Sequence, residues 1–127
     1  MHAFHAVVHT DHQLAEVVRF DVEPVHSQMV KAHVHDTRQH HSEVRTEHEF
    51  FGSVCDALDD VTEVLVTGSH TATADFRHYV DKHRPLVARR IVGYEVVDHP
   101  TQNQLVALAR TFFTHFNLMS GRPATPA

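Results

Sequence analysis

Val18, Phe20 and Val22 alternate with Arg19 and Asp21, the period of two that lets a strand bury one face and wet the other. Ala3 to His9 is β-prone as well, and Thr10 to Gln13 between them reads as a turn. Pro24 breaks the second run, since proline cannot donate to a ladder, and Val25 to Val34 reads as a third strand. Three runs on short connections predict an antiparallel meander.

Asp36 to Ser42 contains no apolar residue and reads as an exposed loop. Beyond it Val44, Phe51, Val54, Cys55 and Leu58 recur at helical spacing with Phe50 beside them, so one stripe faces a core. The spacing predicts a helix from about Ser42 to Leu58, with Glu43 in the first turn where the dipole favours an anion. Val64 to Val66 is apolar in succession, as in a strand covered on both faces, and stops at Gly68. Phe76, Tyr79, Val80 and His83 mark the inner side of a second helix, which Pro85 interrupts; Leu86 to Ala88 adds a short turn. Ile91 to Val97 is the last strand. It ends at Asp98-His99-Pro100, and Thr101 to Gln104 fits a capping box. Leu105, Leu108, Ala109, Phe112, Phe113 and Phe116 then form a broad stripe, and Gly121 to Ala127 is expected to fray.

The order β-β-β-α-β-α-β-α predicts an α/β fold, a three-layer ribonuclease H-like motif. Its five-stranded mixed sheet is expected in the order 3-2-1-4-5, with strand 2 antiparallel and helices on both faces. Residues 1–120 form one domain on this reading, with Leu65, Val92, Phe51 and Phe112 in its core.

The stretches EVLVTGSHTATADF and RRIVGYEVVDHPTQNQLVALA, after a polar loop and a long helix, resemble the middle domain of archaeal and eukaryotic class-1 peptide-release factors. The likeness is nearest to the small bacterial relatives labelled translational machinery or host-attachment-like proteins. It rests on element order and on the punctuation at Gly68 and at Asp98 to Thr101. Release factors carry Gly-Gly-Gln before the long helix; here the loop from His33 to Ser42 has Gln39 but no glycine, so the backbone path glycines permit is lost. Peptidyl-tRNA hydrolysis is therefore disfavoured. Relatives often place a lysine in the turn after the fourth strand, where this chain has Thr73. The resemblance implies a non-catalytic translation-associated module with the ribosome or RNA as partner; the apolar runs are too short for a membrane, and a homodimer is left open.

Composition changes this picture at one point. A chain of 127 residues, 42% hydrophobic and 21% charged, is an ordinary globular domain, and its net charge of −5 argues against wholesale coating of nucleic acid. The lone Cys55 excludes an internal disulfide, and the absence of a membrane-length apolar run suggests the cytoplasm. The outlier is histidine, with fifteen residues densest between His26 and His48.

That density gives the first candidate chemistry. His33 and His35, two apart, share a face if the strand runs through them, and His40, His41 and His48 follow. Convergent neutral imidazoles ligate Zn or Ni, with Glu47 or Asp36 to complete a site, although no cofactor is required. This metal- or small-ligand-binding protein is the alternative to the translation reading. The most cationic window holds Arg77, Lys82, Arg84, Arg89 and Arg90, which suit phosphate contacts to RNA. Asp98 and His99 are ligand-pocket candidates because α/β sheets bind ligands just past the carboxyl ends of strands. Two-metal nuclease chemistry is disfavoured: Asp11 falls at a turn, Asp98 suits a helix cap, and the fourth strand, read as VLVT, has no carboxylate. No nucleophile elbow surrounds Ser69.

Overall fold

The computed structural model describes residues 3–20, 25–33 and 42–119. The chain forms β1 (Ala3–Thr10), β2 (Leu14–Arg19), β3 (His26–Lys31), α1 (Ser42–Ala57), β4 (Val61–Gly68), α2 (His70–His83), α3 (Pro85–Arg90), β5 (Ile91–Val96) and α4 (Gln102–Met119). The five strands lie in the order β3-β2-β1-β4-β5. β2 runs antiparallel to β1 and β3, while β4 is parallel to β1 and β5. This is the expected ribonuclease H-like arrangement.

Side-chain alternation on the central strands divides the core into two. Ala6, Val8, Val64 and Val66 face α1, α2 and α3, where Phe50, Phe51, Val54, Leu58, Phe76 and Val80 close the larger cluster. Val7, Val18 and Leu65 face α4 and meet Leu105, Ala109 and Phe113. Of the expected core residues Leu65 and Phe51 are fully buried, whereas Val92 and Phe112 are half-buried at the rim of the α4 cluster. Cys55 is buried in the first cluster, and burial pushes its thiol up to about 12, which leaves it protonated and inert.

Local chemistry fixes the chain where it turns. Asp11 Oδ1 accepts from the backbone N–H of Gln13 at 2.7 Å and of Leu14 at 2.6 Å, which closes the β1–β2 turn. At Gly68 a Cβ would lie 2.3 Å from the Thr10 carbonyl oxygen, so only glycine lets β4 hug β1 as it leaves the sheet. Ser69 then caps α2 by accepting from the Ala72 N–H. The capping box of α4 is reciprocal: Gln104 N–H donates to Thr101 Oγ1 at 3.1 Å, and Thr101 N–H donates to Gln104 Oε1 at 2.9 Å.

Two strands differ from the sequence reading. β4 extends from Val61 to Gly68, beyond the apolar run, because its polar positions Glu63 and Thr67 pair in register with His5 and His9 of β1. β3 stops at Lys31, short of Val34; it is an edge strand with Val30 as its one buried residue. Thr73 lies inside α2, not in the preceding turn, and its hydroxyl bonds the Ser69 and His70 carbonyls. The tail from 121 to 127 falls outside the described residues.

Candidate functional site

The parallel strands β1 and β4 carry a column of cross-strand pairs on the α4 face: His5–Glu63, Val7–Leu65 and His9–Thr67. At its amino end His5 Nε2 lies 3.0 Å from Glu63 Oε1, and both side chains are buried. At its carboxyl end His9 Nδ1 lies 2.9 Å from Thr67 Oγ1. The single hydroxyl proton of Thr67 is donated to the Val8 carbonyl at 2.8 Å, so Thr67 accepts from His9. The proton of a neutral His9 ring therefore sits on Nδ1, and Nε2 keeps its lone pair.

His9 lines a crevice of about 250 Å³ at the strand ends, with Asp11, Glu16, Ser69, Asp98 and His99 around it. Burial lowers the pKa of His9 first, and His99 adds to that; Asp11, Glu16 and Asp98 pull the other way. The unfolded chain thus takes up this proton before the folded one does. Stability conferred through His9 is complete above its ordinary value of 6.5 and is lost as the pH falls from there through the lower folded-state value. Thermal unfolding followed from neutral to acidic pH should show a smaller acid loss for His9→Gln than for the native chain; parallel curves would refute the assignment.

Asp98 and His99, expected to line a ligand pocket past β5, do line this crevice. The expectation that Asp98 caps α4 is corrected. Thr101, not Asp98, caps α4, and His99 is exposed in a left-handed conformation (φ 42°) with Asp98 Oδ1 3.4 Å away. The fourth strand does hold a carboxylate, Glu63, but it is buried against His5 away from the crevice. Asp11 makes its turn as expected.

The predicted histidine cluster is only partly visible. His33 lies two residues beyond β3 and is exposed, so it is not on a strand face. His35, His40 and His41 lie outside the described residues. His48 is on α1, with its ring 5.4 Å from Tyr79 and 5.5 Å from His83 of α2. No hydrogen bond or ring contact among the described residues joins it to His33.

A different cluster does assemble. Along the α1–α2 seam a cavity of about 180 Å³ is lined by Glu47, His48, Asp75, His78, Lys82 and His83 over Phe51 and Tyr79. From the β1–β2 turn, His12 reaches across and places Nε2 2.8 Å from Asp75 Oδ2. One donor atom each from His12, Glu47 and Asp75 lies within 4.8 Å of the others. The sequence offers only a faint signal for this: Asp75, His78 and Lys82 recur at helical spacing as a polar stripe. His12 is 63 positions from Asp75, and no local spacing announces it.

The cationic window does not form one face. Arg77 stacks over Tyr94 of β5 at 5.1 Å, while Lys82 lines the seam cavity on the α1 side. Arg84 pairs with Asp56 at 2.9 Å, and Arg90 donates to the Asp59 carbonyl at 2.7 Å, so these two tie α2 and α3 to the end of α1. Arg89 is exposed, with no ion pair among the described residues.

In fold the chain is a release-factor-like α/β module, as the sequence resemblance led one to expect. It superposes on Archaeoglobus fulgidus Pelota with a TM-score of 0.55 at 19% identity, covering 87% of this chain and 32% of that one. An archaeal translation termination factor, aRF1, matches with a TM-score of 0.56 at 11% identity over 92% of this chain and 41% of its own. Thermoplasma acidophilum Pelota gives 0.53 at 14% identity, covering 84% and 32%. The chain thus spans 32–41% of the length of these proteins. No family model matches it, and no curated protein does. No helix among the described residues is long and apolar enough to cross a membrane.

Proposed function

We propose that the chain is a non-catalytic module of the translation apparatus that binds the ribosome or RNA. The observation that carries this reading is the fold likeness to a translation termination factor over 92% of the chain. Arg77 and Arg89 are the cations best suited to phosphate, because Arg84 and Arg90 are held by α1 and Lys82 faces the seam. The lack of any glycine between His33 and Ser42 speaks against peptide release by Gln39.

Co-sedimentation with ribosomes of the native host, over a salt series, tests the proposal. The chain should pellet with ribosomes at low salt, and Arg77→Ala/Arg89→Ala should weaken binding and reduce the salt slope by roughly one per lost phosphate contact. Peptidyl-tRNA in the same complexes should stay intact, with or without Gln39→Ala. Absence from the ribosomal pellet at low salt would defeat the reading, and turnover dependent on Gln39 would defeat its non-catalytic part.

A further inference from the structure

We propose that His12, Glu47 and Asp75 form a binding site for a divalent transition-metal ion, built across the β1–β2 turn, α1 and α2. Three observations carry it. The donors come from three separate elements yet lie within 4.8 Å of one another. Three donors about 2.0–2.2 Å from one tetrahedral ion lie about 3.3–3.6 Å from one another, so the widest pair must close by up to about 1.2 Å to complete the set. Glu47 is half-buried and Asp75 exposed, so rotation of their side chains can supply that closure.

The second observation is the hydrogen bond already present. His12 Nε2 and Asp75 Oδ2 are 2.8 Å apart with one proton between them. A metal ion takes the place of that proton, binding the imidazole lone pair on one side and the carboxylate on the other. The pairing holds the ring in the direction ligation requires. Phe51, fully buried beneath the seam and 6.4 Å from the His12 ring, restricts that ring further.

The third is the surroundings. Glu47 and Asp75 both open onto the seam cavity, where His48, His78 and His83 are further imidazoles and Lys82 is the opposing cation. One nitrogen and two carboxylate oxygens leave positions free for water or for one of these rings, a donor set that suits Zn²⁺. Lys82 keeps the cavity from being uniformly anionic, so an exposed acidic patch does not describe it. Its donors are other residues than the histidines expected at 33–41.

Calorimetric titration with Zn²⁺ decides the matter, using the full chain in its native form and in three variants. The first variant has His33, His35, His40 and His41 all replaced by alanine, the second carries His12→Ala, and the third Asp75→Asn. The loop variant should retain one equivalent of Zn²⁺. Loss of a ligand's outer partner costs roughly 10–100-fold in affinity, so loss of His12 itself should weaken that equivalent by at least ~100-fold. Asp75→Asn keeps a hydrogen-bond acceptor for His12, so the fold is preserved, and it should weaken binding similarly. Native-like affinity in His12→Ala or in Asp75→Asn would overturn the site, as would loss of all binding in the loop variant.

Discussion

Phe51→Ala is expected to destabilise the protein by about 3–5 kcal/mol, read as a shift in the urea midpoint, or a fall in Tm of roughly 10–20 °C. The ring is fully buried and packs edge-on against Phe76 at 5.2 Å, with Phe50 and Tyr79 at 5.6 and 5.8 Å. Truncation removes the transfer free energy of the ring and leaves a cavity between helices that their other contacts hold apart. The loss should also appear at the seam, since Phe51 lies beneath Glu47 and Asp75. Phe51→Leu, which refills most of the volume, should recover more than half of the stability. A loss below about 1 kcal/mol for the alanine variant would mean that α1 is not packed as described.

The second large effect concerns the buried pair His5–Glu63. Its atoms are 3.0 Å apart, and the His5 ring is surrounded by Phe4, Phe20 and Phe113, the last at 4.2 Å. His5→Phe keeps the ring stack but takes a hydrogen bond from a carboxylate in the core. That change should cost about 3 kcal/mol, because a buried polar group that loses a hydrogen-bond partner costs more than the pair contributed net. The double variant His5→Phe/Glu63→Leu should fall within about 1 kcal/mol of the native chain, since an apolar pair of similar volume avoids desolvating either group. Chemical denaturation of the singles and the double gives the coupling directly. Additive losses would show that the two residues do not act as a pair.

The same pair marks the limit of what alternation reveals. Glu63 lies outside the strand in the sequence reading because the apolar run begins at Val64. A polar residue in a buried strand looks like a strand end until its partner is known, and here the partner is His5, 58 positions away. The β3 boundary shows the opposite error. The apolar Val34 extends the strand in the sequence reading, but an edge strand buries almost nothing and its apolar positions carry little information about where pairing stops. Thr101 and Gln104 were legible because a capping box is complete within four residues.

The histidines divide in the same way. Density in sequence pointed to His33, His35, His40, His41 and His48, yet His48 packs with Tyr79 and His83 of α2. The nitrogen best placed to hold an ion belongs to His12, isolated in a turn. Asp98 and His99 were found because a rule of topology, ligands past the carboxyl ends of parallel strands, converts sequence position into place.

The order of elements, the two core faces, the α4 cap and the glycine at the end of β4 were determined by the sequence alone. Each depends on periodicity or on backbone chemistry within a few residues. Which polar groups meet was decided by tertiary structure: His9 with Thr67, His5 with Glu63, and His12 with Asp75 and Glu47. Those encounters join residues about sixty positions apart or on different elements. The parallel β1–β4 pairing and the packing of α1 against α2 fix them, and no local pattern encodes such distances.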